Sequence, residues 1–99
     1  IALTEAVYYI LLSLQAPLHG YGIMQKVEGL SNGRVKLAAG TLYGALGSMV
    51  EKGWIHALPG ENNSRKKEYA ITDLGRSVAV KELDRLQELV TNGKQLIGG

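Results

Sequence analysis

Arg65, Lys66 and Lys67 place three cations on consecutive residues, directly after the polar stretch Pro59-Gly60-Glu61-Asn62-Asn63-Ser64. Upstream, Thr41, Tyr43, Ser48 and Lys52 distribute hydroxyl, phenol and ammonium groups along one short segment, with Lys36 just before it and Tyr21 further back. Cations neutralise phosphate oxygens, and short hydroxyl side chains on a rigid element reach base edges. The chemistry open to this set is nucleic-acid recognition. Catalysis is a poor match. Gly20-Tyr21-Gly22 lacks the further glycine a phosphate loop needs and is not read as following a strand. No nucleophile and base stand at a suggestive spacing, so the expectation is a protein that is not an enzyme and uses no cofactor. His19 reads as a helix cap or turn residue and His56 as a strand residue. Neither has a second ligand nearby, so no metal site is expected.

The elements that must position these groups follow from apolar spacing. Leu42, Leu46, Met49 and Val50 recur at i, i+4, i+7 and i+8, which predicts one amphipathic helix over 40–53. Thr41, Gly44, Ser48 and Lys52 lie off that stripe. Gly53 suits a left-handed helix end, and a strand starting at Trp54 should follow at once. Thr4 and Glu5 can cap a first helix running to about Leu14, with Val7, Leu11 and Leu14 as one stripe and apolar residues around it. Such a helix needs cover on two sides. After the break at Pro17, a second helix is expected from Tyr21 to about Leu30, ended by the turn residues Ser31-Asn32-Gly33.

Beyond Trp54 the pattern is a two-stranded hairpin, Trp54–Leu58 and Arg65–Thr72, with a long polar tip. Tyr69 and Ile71 alternate with charged positions and should face the core. A last helix capped by Thr72 and Asp73 follows, in which Ala79, Leu83, Leu86 and Val90 are spaced four, three, four. This short heptad seam suits a partner helix. Gly93 and Gly98-Gly99 point to a frayed end. The fold expectation is therefore mainly α with a small β-hairpin: a winged helix-turn-helix over residues 1–72 and a C-terminal dimerisation helix with its tail over 73–99.

The 99 residues suit a single domain, small enough for a second protomer to help bury its surface. The 45% hydrophobic and 20% charged composition is that of an ordinary soluble protein, with no apolar run long enough for a membrane span. Without cysteine there is no disulfide framework, and no secretory signal is visible, so a cytoplasmic location is expected. The net charge of +2 supports nucleic-acid binding only where the cations cluster.

Four blocks carry a family resemblance: Leu18-His19-Gly20-Tyr21-Gly22-Ile23, Gly40-Thr41-Leu42-Tyr43-Gly44-Ala45-Leu46, Lys52-Gly53-Trp54-Ile55, and the run from Arg65 to Gly75. In order and spacing they resemble the signature blocks of PadR-like transcriptional regulators, and the short C-terminal region resembles the smaller subfamily with a single C-terminal helix. The resemblance implies a homodimeric bacterial repressor that binds double-stranded DNA. Tyr21, Lys36, Thr41, Tyr43, Ser48, Lys52, Arg65, Lys66 and Lys67 are then the expected DNA contacts, and an inverted-repeat operator with half-sites roughly 34 Å apart is expected. Val7, Leu11, Ala79, Leu83, Leu86 and Val90 are the expected dimer contacts. Tyr8, Tyr9 and Trp54 are candidates for lining a site at the dimer interface for a small aromatic or cationic effector that would relieve repression, although aromatics in an apolar region also serve plain packing. Tyr43 and Tyr21 fit core positions as well as DNA contacts. Gly47-Ser48 departs from the larger polar side chains usual in relatives. The rival reading is a winged helix used for protein interaction alone, without DNA binding.

Overall fold

A computed structural model describes residues 2–59 and 67–98. In chain order the elements are α1 (Glu5–Ser13), β1 (Leu18–His19), α2 (Gly20–Leu30), α3 (Ala39–Glu51), β2 (Ile55–Leu58), β3 (Glu68–Ile71) and α4 (Asp73–Ile97). The first three helices enclose a core of Ile10, Leu11, Leu14, Ile23, Val27, Leu42, Leu46 and Met49, closed by Ile55 from β2. Each of these nine is at most 1% exposed. The expected apolar stripes are therefore core faces, except that Val50 sits at the edge of its stripe and is 39% exposed.

The helix ends are set by short-range hydrogen bonds. The Thr4 hydroxyl accepts from the Val7 amide, and His19 Nδ1 accepts from the Gly22 amide at 3.1 Å, so His19 is a cap. At the end of α2, Asn32 adopts φ 54° and Gly33 φ 80°. The Gly33 amide returns to the Glu28 carbonyl and the Asn32 amide to Gly29, which is the Schellman arrangement.

The sheet has one strand more than the hairpin predicts. Leu18 and His19 pair antiparallel with Tyr69 and Glu68, giving the order β1-β3-β2. Two residues are too few to show a period of two, and Pro17 beside them reads as a break. Gly20-Tyr21-Gly22 thus does follow a strand, contrary to the expectation, but still lacks the spacing of a phosphate loop. Ile55 pairs with Ile71 and Leu58 with Glu68, and Tyr69 and Ile71 pack against the core as their alternation requires. Trp54 precedes β2 instead of opening it.

Where α3 meets α4, the backbone is locked. Gly53 takes φ 78°, its amide bonds Val50 and the Trp54 amide bonds Met49, so the chain leaves α3 at a fixed angle. The Thr72 amide donates to the Trp54 carbonyl at 3.0 Å. The Thr72 hydroxyl lies 2.6 Å from the Gly53 carbonyl and 2.9 Å from that of Trp54, while accepting from the Gly75 amide. One threonine therefore caps α4 and ties it to the end of α3. Gly75 makes this approach feasible, because a Cβ there would lie 2.0 Å from the Trp54 carbonyl oxygen.

Over its first half α4 is part of the same packed body. Val78 and Ala79 pack on the core, and the Glu82 side chain is 3% exposed. Arg85 Nε and one terminal nitrogen each donate to a Glu82 carboxylate oxygen at 2.7 Å, and the Leu3 amide adds a third bond at 3.2 Å. The paired guanidinium holds the Glu82 carboxyl below the usual carboxylate range. Further on, the helix continues through Gly93 to Ile97 before Gly98 closes it at φ 81°. Gly93 lies inside this helix, where a single glycine costs only about 1 kcal/mol. At roughly 37 Å, α4 accounts for much of the 55 Å length of a molecule 28 by 20 Å across.

Gly75→Ala should destabilise the fold by about 2 kcal/mol or more through overpacking, lowering Tm by roughly 10 °C in a circular-dichroism melt. Gly29→Ala, at a helical site with open space around it, should instead raise Tm by a few degrees. Equal effects from the two would remove the close approach at Gly75 from the account.

Candidate nucleic-acid interface

Advancing 100° per residue, α3 turns Leu42, Leu46 and Met49 inward and carries Gly40, Gly44, Gly47 and Glu51 along its outermost line. A Cβ built on any of those three glycines meets nothing within 4 Å. This ridge is bare backbone over most of its length. Thr41 and Ser48 flank it on one side, Tyr43 and Val50 on the other, and all four are exposed. Ala38 supplies no side-chain cap, so the first amides of α3 are left for water or a ligand. Glu51 was not singled out from the sequence. It puts a carboxylate on the line at the C-terminal end, which biases the face that would tolerate phosphates toward the N-terminal half.

Tyr43 is neither core nor loose. Its ring lies across the start of α2, where a Cβ on Gly20 would fall 2.3 Å from the phenol oxygen, yet 52% of the residue is exposed. Gly20 is thus the seat of the Tyr43 ring. Burial, and secondarily the nearby Tyr43, push the Tyr69 phenol above its ordinary range, so it remains a neutral hydroxyl. Tyr21, one residue after Gly20, projects with 63% exposure. Lys36 is exposed in the connection between α2 and α3, and Lys67 is exposed just before β3. Arg65 and Lys66 lie outside the described residues. Lys52 follows the last turn of α3, with its ammonium 4.8 Å from the centroid of the Trp54 ring. That cation–π contact gives Lys52 a partner within the protein.

Among the residues expected at a dimer contact, the structure separates two sets. Leu11 is fully buried within the protomer, because α1 turns Ile10 and Leu11 together into the core. It has no surface to give a partner. Val7 and Ala79 are partly buried against that same core. Leu83 and Val90 are 54% and 48% exposed, and Leu86 is half-buried between them. Within one protomer, the three aromatics expected to line an effector site border two cavities. Tyr8 and Tyr9 border a cavity of about 440 Å³ with Leu12 and Leu86, whereas Trp54 borders a separate one of about 520 Å³. Leu3, Glu82 and Arg85 line both and form the wall between them.

A helix-turn-helix whose second helix is exposed, followed by a small antiparallel sheet and a long terminal helix, defines a winged helix-turn-helix protein. The chain belongs to the Transcriptional regulator PadR-like family, whose model matches residues 9–81. Among solved structures, a PadR family transcription regulator from Clostridium difficile is similar at 20% identity and TM-score 0.80, with 95% of this chain and 99% of that one covered. A transcriptional regulator from Thermoplasma acidophilum is similar at 25% identity and TM-score 0.72, covering 95% and 91%. PadR of Bacillus subtilis, solved in complex with operator DNA, is similar at 23% identity and TM-score 0.71, with 81% of this chain and 47% of that one covered. A comparison with curated protein sequences gives no match. Among the described residues, no helix is long and apolar enough to cross a membrane.

The bare ridge sets stability against binding. Gly44→Ala with Gly47→Ala should raise Tm by roughly 5 °C or more, since each gains up to about 1 kcal/mol of helix propensity. The same pair should weaken binding to the DNA upstream of the gene by roughly tenfold or more, read by fluorescence anisotropy, because each methyl holds the backbone off the groove floor. Unchanged affinity would show that the ridge does not approach DNA.

Proposed function

We propose that this protein is a sequence-specific DNA-binding transcriptional repressor, with no catalytic activity, that acts as a homodimer in the cytoplasm on an inverted-repeat operator. The observation that carries the reading is the outer line of α3, cleared of side chains at Gly40, Gly44 and Gly47 and edged by the hydroxyls of Thr41 and Ser48. A helix so stripped can lie deep in a major groove, reading few bases through short groups. Residues 1–72 form the reading unit in this account and 73–99 the dimerisation arm. Tyr21, Lys36, Tyr43, Arg65, Lys66 and Lys67 take phosphates and fix the register. Lys52 contributes through its charge beside Trp54 more than through a base contact. The complex of Bacillus subtilis PadR with operator DNA supports the reading at the level of the family.

Dimerisation rests on the arm. Leu83, Leu89, Val90, Leu96 and Ile97 are all about half exposed or more, a density of apolar surface that a long helix in water does not retain without a partner. The seam Leu83, Leu86, Val90 would meet its copy, with Val7 and Ala79 at its margin. An effector that changes the angle between two such arms changes the spacing of the reading helices, and with it the affinity for an operator of fixed period.

The test is an anisotropy titration of the protein against its own upstream intergenic DNA and an unrelated duplex, each at 50 and 200 mM salt. Preference for the upstream DNA, with affinity for both falling by roughly tenfold or more between the two salts, is expected. No binding to either duplex at the lower salt would transfer the fold to a protein-interaction role.

A further inference from the structure

We infer that the trough along the exposed face of α2 binds a linear aliphatic polyamine. Tyr21, Met24, Gln25, Glu28, Asn32 and Leu37 line a cavity of about 560 Å³, a volume in the range of small-molecule sites. Tyr21, Met24, Gln25 and Glu28 stand at i, i+3, i+4 and i+7, which puts them on one face of the helix. Leu37 joins them from the connection between α2 and α3. Met24 and Leu37 are partly buried against the core, while Tyr21, Gln25, Glu28 and Asn32 are exposed. The trough therefore has an apolar floor and a polar rim.

The charge along the rim selects a cation. Among the described residues, Glu28 is the only charged group in the lining, and it makes no ion pair. The last turn of α2 holds no basic residue, so the negative end of the helix dipole adds to the Glu28 carboxylate instead of being offset. Neighbouring cations are placed elsewhere. Arg34 is paired with Glu5, Lys26 lies roughly on the opposite side of the helix from Glu28, and Lys36 is not part of the lining. An ammonium group would offset this negative potential, and a carboxylate would be repelled by it.

Tyr21 supplies the second point of attachment. It lies about 10 Å along the helix from Glu28. Its exposed phenol ring offers a π face to another ammonium. One ammonium reaches one of these two points, whereas two ammoniums on an aliphatic chain reach both, with the methylenes lying over Met24. The side-chain carbonyls of Gln25 and Asn32 can accept from an amine in the middle of the chain. Because Glu28 is exposed, its pairing is screened by water and the affinity is modest, with a Kd of roughly 1 mM. The site goes beyond the DNA-reading proposal and does not rest on it. Tyr21 is shared with the proposed phosphate contacts, so binding is measured without DNA and the two are tested separately.

The chain has two methionines, Met24 in the trough and Met49 in the core, which serve as probe and internal control. The full chain, isotopically labelled at its methionine methyl groups, is titrated by NMR with spermidine at fixed ionic strength, and in parallel with butylamine, octanediol and suberate. Spermidine should shift the Met24 methyl resonance saturably and leave that of Met49 in place. The monoamine, the neutral diol and the dianion should bind roughly fivefold more weakly or not at all. Glu28→Gln should weaken spermidine binding by roughly fivefold, and Lys26→Gln should leave it within about twofold of the parent, with both variants melting as the parent does. No saturable Met24 shift, equal binding of butylamine or suberate, or a Glu28→Gln variant that binds spermidine as the parent does would each overturn the assignment.

Discussion

The hydroxyl of Thr72 ties the end of α3 to the first turn of α4. It sits between the carbonyls of Gly53 and Trp54 at the end of α3 and the Gly75 amide in the first turn of α4. The Schellman end of α3 fixes the direction in which the chain leaves that helix, and the missing Cβ at Gly75 lets α4 approach the Trp54 carbonyl. A polar contact worth about 1 kcal/mol in stability thus sets a geometry on which operator spacing would depend.

The exposed face of α3 is built against the stability of that helix. Three glycines on its outer line, at up to about 1 kcal/mol each, and a first turn without a side-chain cap make α3 a weak helix in isolation. Burial of Leu42, Leu46 and Met49 offsets that cost from the other side. A helix that departs from local propensity on its exposed face while its core face is well packed is the pattern expected where binding shapes sequence. The seat for Tyr43 follows the same logic at α2, where Gly20 lacks a side chain so that another residue's ring can be placed.

Much of this was legible in the residues. Apolar spacing located all four helices, because each buries one face against the core, and Thr4, Thr72 and Gly53 marked ends that depend on local hydrogen bonds alone. Spacing could not separate Leu11 from Val7, since α1 is apolar on nearly every side and only the packed partners decide which face is innermost. It also missed β1, whose pairing with β3 joins residues far apart in the chain. Glu51 could have been found by projecting α3 onto a wheel, where it falls in line with the three glycines. The division of Tyr8, Tyr9 and Trp54 between two cavities had no signal in the sequence, because the wall between them is made by Leu3 and α4.

We propose that the Thr72 lock holds the two α3 helices of a homodimer at a fixed separation. The chain has no cysteine, so Glu51→Cys gives a single spin-label site at the exposed end of α3. Pulsed dipolar spectroscopy between the two protomers should give one narrow distance distribution, centred within roughly 30–45 Å as adjacent major grooves require. Adding Thr72→Val should broaden it while the dimer persists. The absence of any dipolar coupling between protomers, or a distribution unchanged by Thr72→Val, would contradict the claim.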